Sequence, residues 1–212
     1  SFNEVQDVVL VDLDPKVTNI FRDVPLLSKL NNQSLSDPRI KVLNVDAMTF
    51  LEGQQEPYDV VIIDLPDPSD THLGKLYSKS FYSLVQRRLA PEGRIALQAT
   101  SPYRARQAFW SIVHTLEASS SGNPERPATL SVAPYHTVIP SFGTWGFVLA
   151  AKQPLDPGSL LARPSARFLN QKTLQGLFDF PKDMARIPTP VSSLDNPVVV
   201  KLYRDGYHQY FD

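Results

Sequence analysis

Three short, continuous apolar runs each end at a carboxylate, and that repeat constrains the fold more than any other feature of the chain. Val8-Val9-Leu10-Val11 leads into Asp12, Ile40 to Val45 into Asp46, and Val60-Val61-Ile62-Ile63 into Asp64. Runs of this length without polar alternation predict parallel strands covered on both faces. Between the first two, Val17, Ile20, Phe21, Val24 and Leu27 fall at helical spacing across Pro15 to Leu30, interrupted at Pro25, so a strand, helix, strand unit opens the chain. Phe81, Leu84, Val85 and Leu89 mark one face of a helix over Leu76 to Leu89. Gly93 to Gln98 predicts a further strand and Arg104 to Leu116 a further helix. Thr129 to Val138 and Trp145 to Ala151, joined through Pro140-Ser141-Phe142-Gly143, predict an antiparallel hairpin. Alternating strands and helices closed by an antiparallel pair describe an α/β doubly wound sheet with helices on both faces.

With 212 residues, 42% of them apolar, the chain can bury the core of one sizeable domain, expected over residues 1–151. From Lys152 the character changes. Pro154, Pro157, Pro164, Pro181, Pro188, Pro190 and Pro197 punctuate a Pro-rich C-terminal extension, residues 152–212, with one helix around Thr173 to Phe178. Its aromatic residues Phe168, Phe178, Phe180 and Tyr203 are expected to anchor it apolarly on the domain. Ser119 to Pro124 predicts a loop.

Twenty-one Lys and Arg against 22 Asp and Glu leave a net charge of -1, which gives no basic field for nucleic acid or an anionic membrane. Arg87-Arg88 and Arg104-Ala105-Arg106 are expected on solvated helix faces. The chain has no cysteine, which excludes disulfides, thiolate metal sites and a Cys nucleophile. His72, His114, His136 and His208 show no metal-ligand spacing, so no metal is expected. No apolar run approaches the ~18 residues of a membrane span, and Ser1-Phe2-Asn3-Glu4 does not have the pattern of a signal peptide, so the chain as given is expected to be soluble and cytoplasmic.

The third apolar run continues as Asp64-Leu65-Pro66-Asp67-Pro68-Ser69-Asp70, where carboxylates recur every third residue and the prolines forbid a helix. Ligands of open α/β sheets bind beyond the carboxyl ends of the strands, which is where Asp64 falls. Taken with Val11-Asp12-Leu13-Asp14-Pro15, Asp37-Pro38-Arg39-Ile40, Asp46-Ala47, Leu76-Tyr77-Ser78, Phe81-Tyr82, Gln98, Ser101-Pro102-Tyr103 and Pro140 to Phe147, this segment resembles the polyamine aminopropyltransferases, the spermidine synthase family. The resemblance is closest to the soluble C-terminal domain of the bacterial branch that carries an N-terminal membrane region. It covers residues 5 to 151 most strongly and extends into Phe180-Pro181-Lys182-Asp183-Met184.

The resemblance implies a Rossmann-like fold of the class I S-adenosylmethionine-dependent methyltransferase type. It implies transfer of an aminopropyl group from decarboxylated S-adenosylmethionine to putrescine, giving spermidine and 5'-methylthioadenosine without a metal. Asp12, ending its strand, would accept hydrogen bonds from ribose hydroxyls, whereas Asp14 before Pro15 suits a helix N-cap. Asp46 would meet the adenine amino group, with Ala47 leaving room for the base. Asp64 would orient and deprotonate the attacking amine, which is needed because alkyl ammonium groups titrate near lysine's ~10.4. Asp67 would hold an amine of donor or acceptor. Tyr77, Tyr82 and Trp145 offer aromatic faces to a cation, each equally suited to core packing. Asp70 and His72 fall in a loop expected to flap over the site.

Two departures from the family pattern stand out. Phe142 occupies the turn position where soluble members carry a tyrosine, so that hydroxyl is missing and the acceptor is left open. The family's glycine-rich loop and the strand before it precede the first strand visible here, and that strand is the central one, between Val8 to Val11 and Val60 to Ile63. Two unpaired apolar edges are therefore expected, with a homodimer through them as one outcome and a longer, inner-membrane-anchored parent as the setting. Competing functions are a methyltransferase using ordinary S-adenosylmethionine and a non-catalytic module that binds polyamines or nucleosides.

Overall fold

Pro15 and Pro25 each stand at the first position of a helix, where a missing N–H is no loss and a fixed φ suits the turn. The computed structural model, which describes residues 4–53, 56–120 and 129–208, divides the first helical stretch into α1 (Pro15–Asp23) and α2 (Pro25–Leu30). They connect β1 (Val8–Val11) to β2 (Ile40–Leu43), and α3 (Ala47–Gly53) follows. The two strands pair in parallel, with Val8 opposite Ile40 and Val11 opposite Leu43. This strand, helix, strand arrangement makes up one compact unit, residues 1–55.

The second unit, residues 56–212, begins with β3 (Tyr58–Ile63), α4 (Thr71–Gly74), α5 (Lys79–Arg87), β4 (Leu89–Gln98) and α6 (Arg106–Glu117). It continues with β5 (Ser131–Ile139), β6 (Gly143–Ala151), α7 (Gln171–Gly176) and α8 (Val198–His208). Its sheet runs β3-β4-β6-β5, parallel between β3 and β4 and antiparallel elsewhere. Between Tyr58 and Val60 the partner jumps from Leu89 to Arg94, so Ala90 to Gly93 bulge out of the ladder. Pro91, which has no N–H to give, lies in that bulge. Pro134 is tolerated because β5 is an edge strand, and the His136 N–H on that edge donates to the Leu177 carbonyl at 2.9 Å, which brings the tail over it.

Ile95 and Leu97 of β4, Val148 and Ala150 of β6, and Phe81, Leu84 and Val85 of α5 are buried. Helix α6 is buried through Ala108, Phe109, Ile112, Val113 and Leu116 as well as Trp110 and Ser111, more than one face of a helix, because the tail covers its other side. Trp110 Nε1 donates to the Met184 carbonyl at 3.0 Å, and both Arg106 Nε and Nη2 donate to that of Ala185. Phe180 packs at 5.7 Å from Phe109 and 5.4 Å from Trp110, and Phe178 at 5.6 Å from Tyr135, as apolar anchors should.

Three expectations need correction. The strands are not all covered on both faces, since Val60 and Ile62 of β3 are 61% and 75% exposed. The strands form two sheets, β1-β2 and β3-β4-β6-β5, in keeping with the unpaired edges expected from the sequence. The tail holds a second helix, α8, whose pattern Val198-Val199-Val200 followed by Leu202, Tyr203 and Tyr207 was obscured by Pro197 before it and Gly206 within it. Phe168 is exposed and anchors nothing. The loop expected at Ser119 to Pro124 lies outside the described residues from position 121 onward.

Candidate active site

In the first unit the carboxyl ends of two adjacent parallel strands bring Asp12 and Asp46 to one edge. The Asp12 N–H donates to the Leu43 carbonyl at 3.1 Å, and Asn44 Nδ2 donates to the Asp12 carbonyl at 3.1 Å, which ties the two strand ends together. One oxygen of Asp12 accepts from the Asp14 N–H at 2.8 Å. Asp14 caps α1, its Oδ1 accepting from the Lys16 N–H at 2.8 Å, as its place before Pro15 predicts. Asp46 Oδ1 accepts from the N–H groups of Met48 and Thr49, both at 3.0 Å, so this carboxylate opens α3 and Ala47 is the first residue of that helix.

In the second unit the apolar strand β3 ends at buried Ile63, and the next residue, Asp64, is exposed. Pro66 and Pro68 keep the following loop extended, and Asp67 turns inward. Gln98, at the carboxyl end of the neighbouring parallel strand β4, donates through Nε2 to Asp67 Oδ1 at 3.3 Å. Burial pushes the Asp67 carboxyl above its ordinary value, and the neighbouring Gln98, Tyr203 and Thr100 side chains work against that rise. Asp64 and Asp67 thus have different environments, one exposed and one half-buried.

The loop is held from below. Tyr77 is wholly buried and its hydroxyl donates to the Pro66 carbonyl at 2.9 Å, so its reach into the site is through the loop it supports. Burial, with the Tyr82 hydroxyl and the Asp67 and Asp64 carboxylates nearby, drives the Tyr77 phenol far above its ordinary value and keeps it a neutral donor. Tyr82 is likewise buried, 5.9 Å from Phe81 between ring centroids. Asp70 is an N-cap, its Oδ1 accepting from the Leu73 N–H at 2.9 Å, and His72 lies in the short helix α4 that this cap begins.

Antiparallel pairing of β4 with β6 sets Gln98 opposite Phe147, which brings the start of β6 to the same edge as the end of β4. Trp145 and the half-exposed Phe142 sit there with ring centroids 5.2 Å apart. Just past β4, Thr100 adopts φ +60, a left-handed conformation that a β-branched residue avoids. The surroundings impose it. Its carbonyl accepts from the Gly146 N–H at 2.7 Å, and Ser101 Oγ donates to the Thr144 carbonyl at 2.7 Å.

The sequence did not single out the contribution of α8. Tyr203 and Tyr207 lie four residues apart, their rings 4.6 Å from centroid to centroid, and the Asp67 carboxylate acts on the Tyr203 phenol. Burial and the Asp67 charge raise the Tyr203 phenol well above its ordinary value. Arg204 Nε donates to the Ser69 carbonyl at 2.9 Å, fastening the Asp64 to Asp70 loop to the same helix. The available signal was the paired tyrosines of Tyr203-Arg204-Asp205-Gly206-Tyr207 at helical spacing, which the apolar role assigned to Tyr203 passed over.

Among the described residues no group of His, Asp and Glu is placed to hold a metal ion, and no helix is long and apolar enough to cross a membrane. His114 Nδ1 lies 2.7 Å from Thr189 Oγ1, and His136 Nε2 lies 2.9 Å from the Asp179 carbonyl.

Parallel strands joined through helices and ending at carboxylates define an α/β, Rossmann-like fold. Comparison with known proteins gives the family: the spermine/spermidine synthase domain matches residues 1–157, and the chain belongs to that family. It is 38% identical over 208 residues, 98% of this chain, to a polyamine aminopropyltransferase of Leptospira interrogans. It is 41% identical over 97% of its length to polyamine aminopropyltransferase 1 of Streptomyces coelicolor. The chain spans about two fifths of these curated relatives, 40% and 38% of their lengths. Spermidine synthase from Thermotoga maritima has the same fold, with a TM-score of 0.68 at 18% identity over 86% of this chain and 62% of that one. A spermidine synthase in complex with the transition-state analogue AdoDATO matches equally, with a TM-score of 0.68 at 19% identity over the same shares of the two chains.

Proposed function

We propose that this chain carries the acceptor and donor sites of a polyamine aminopropyltransferase that transfers the aminopropyl group of decarboxylated S-adenosylmethionine to putrescine. The observation that carries this reading is the pair Asp64 and Asp67 at the end of β3, one exposed and the other half-buried and hydrogen-bonded to Gln98, in a chain of this family. A diamine and a decarboxylated sulfonium donor are cationic at their reacting ends, and carboxylates suit them where a carboxylate-bearing cofactor would be repelled. Asp12, with one oxygen beyond its bond to the Asp14 N–H, takes the ribose hydroxyls, and Asp46 with Ala47 takes the adenine edge.

In the step itself, the neutral amine nitrogen of putrescine attacks the aminopropyl carbon bound to sulfur. The carbon–sulfur bond breaks in line and its electron pair returns to sulfur, leaving the neutral thioether of 5'-methylthioadenosine. The proton lost by nitrogen passes to Asp64, the solvated carboxylate that can deliver it to water. Asp67 holds an amine of one substrate in place, and Trp145 with Phe142 offers aromatic surface to the methylene chain or a cation. Sulfur already carries the positive charge that makes it a good leaving group, so alignment and proton management are what remain for the protein.

Calorimetric titration with decarboxylated and ordinary S-adenosylmethionine, followed by turnover with putrescine, tests this. The decarboxylated donor is expected to bind more tightly, and Asp64→Asn to lower kcat by about 100- to 10,000-fold, as loss of a general base does, with nucleoside binding intact. Preference for the ordinary cofactor would make the chain a methyltransferase, and binding without turnover in the wild type would make it a binding module.

A further inference from the structure

We propose that the left-handed turn at Thr100 is a positioning device of this site: the Thr100 N–H, held against Gln98 Oε1, decides which end of the Gln98 amide faces Asp67 and so orients the carboxylate toward a cationic amine. The inference rests on the functional reading above and deepens it by naming what holds Asp67. Gln98 Oε1 accepts from the Thr100 N–H at 3.3 Å, and Gln98 Nε2 donates to Asp67 Oδ1 at 3.3 Å. An amide has one acceptor end and one donor end. Turned over, the Gln98 amide would set its N–H groups against the Thr100 N–H and its oxygen against the carboxylate, so both contacts would be repulsive. One backbone N–H thus orients two side chains, the second of them 31 residues from Gln98 in the chain.

The turn is held from several sides. The peptide between Ala99 and Thr100, which carries that N–H, is bracketed by two hydrogen bonds to a single residue of β6: the Ala99 N–H donates to the Gly146 carbonyl at 2.9 Å, and the Thr100 carbonyl accepts from the Gly146 N–H at 2.7 Å. A Cβ at Gly146 would stand 2.8 Å from the Thr100 carbonyl oxygen and 2.4 Å from Phe109 Cε2, so the approach of β6 to the turn requires glycine. Ser101 Oγ donates to the Thr144 carbonyl at 2.7 Å and accepts from the Arg104 N–H at 3.2 Å, which fixes the residue after the turn. Ala99 and Thr100 are wholly buried, and Thr100 keeps its φ of +60 although a β-branched side chain disfavours it. Strain of this kind persists only where the surroundings impose it, and it collects at functional sites. The Gln98 amide is neutral, so it orients Asp67 without cancelling its charge, whereas a lysine or arginine at position 98 would leave Asp67 little attraction for an ammonium group. The titratable groups that act around Asp67 come from other segments: Asp64 on its own loop, Tyr77 beneath it, and Tyr203 and Tyr207 on α8, with Arg104 acting on Tyr207.

NMR of the whole chain tests this without any substrate. In the wild type the side-chain NH2 signals of Gln98, assigned through their loss in Gln98→Met, are expected to move with pH at the midpoint of the Asp67 carboxyl, itself followed by 13C and assigned through its loss in Asp67→Asn. Gln98→Met is expected to raise the Asp67 midpoint by about half a pH unit, since a donor to the charged form is lost, and to weaken putrescine binding roughly three- to tenfold. An ester in place of the peptide between positions 99 and 100, made with the hydroxy-acid analogue of threonine, removes the N–H and keeps the side chain. It is expected to move the midpoint in the same direction by less, and to weaken putrescine binding in step. Gln98 NH2 signals that ignore the Asp67 titration, or an ester that leaves either the Asp67 midpoint or the putrescine affinity at its wild-type value, overturn the proposal. The wild-type titration decides the orientation of the amide even if an altered chain folds poorly. A wild type that binds no diamine overturns the functional reading instead, and the substrate-free titration then still decides whether Gln98 and Asp67 are coupled.

Discussion

A half-buried carboxylate whose donor is the neutral Gln98 amide is held at a cost to stability, and Asp67 shows the sign of that cost. Its folded value is raised above the ordinary 3.8, chiefly by burial. Below 3.8 the group is protonated in folded and unfolded chains alike and nothing is lost; as pH rises through the raised folded value, the unfolded chain ionises more readily and stability falls. Asp67→Asn is therefore expected to raise the melting temperature at pH 7, with the gain shrinking toward zero near pH 4, even as amine binding is lost. Thermal melts at the two pH values check it, and an equal gain at both would mean that burial of the charge is not its source. Asp37 has the opposite sign. The Arg39 side chain, at 2.7 Å, and its N–H hold Asp37 down to about 2, so it contributes stability above its ordinary 3.8 that is lost as pH falls toward 2. That contribution is small because the pair is exposed.

Elements, rather than residues, decide which carboxylates meet which partners. The end of β4 is the clearest case. Gly146 of β6 approaches so closely that a Cβ there would lie 2.5 Å from Phe109 Cδ2 and 2.8 Å from the Thr100 carbonyl oxygen. Gly146→Ala must push α6 or the strained Thr100 turn away, and a loss of about 3 kcal/mol is expected, together with weaker diamine binding because Gln98 lies two residues before Thr100. Denaturant unfolding and calorimetry on the variant measure both, and unchanged stability would show that α6 yields freely. Most of this architecture was legible in the sequence: the apolar runs at Val8, Ile40 and Val60 and the helical spacing of Phe81 to Leu89 fixed the strands, α5 and the strand-end carboxylates, because unbroken apolar periodicity reports burial directly. Helix α8 was not, since the β-branched run Val198 to Val200 and Gly206 lower local propensity and packing on α6 and α4 restores the helix. With it went the role of Arg204, whose partner Ser69 is 135 residues away in the chain.

At the scale of the whole molecule the two units differ in how much they bury. Residues 56–212 hold the large buried side chains, from Tyr77 and Phe109 to Val148 and Val199, whereas in residues 1–55 only Thr18 and Leu51 are buried among the described residues. The apolar side of α1 and α2, with Ile20, Phe21, Val24 and Leu30, is largely exposed, and β1 and β2 have only each other as strand partners among the described residues. A two-stranded sheet with one thin layer of helix is marginal by itself, because buried apolar area at about 25 cal/mol per Å² must offset the ordering of every residue. Amide hydrogen exchange is therefore expected to rank the units. Val9 and Val42 in the β1-β2 pair exchange with protection factors roughly 100-fold or more below those of Ile95 and Val148, reflecting local opening short of global unfolding. The proposed nucleoside site at Asp12 and Asp46 lies on the weaker unit, so decarboxylated donor should raise protection there and leave β4 and β6 nearly unchanged. Equal protection in both units without ligand would mean that they open as one, and a donor that protects only the second unit would remove Asp12 and Asp46 from the binding site.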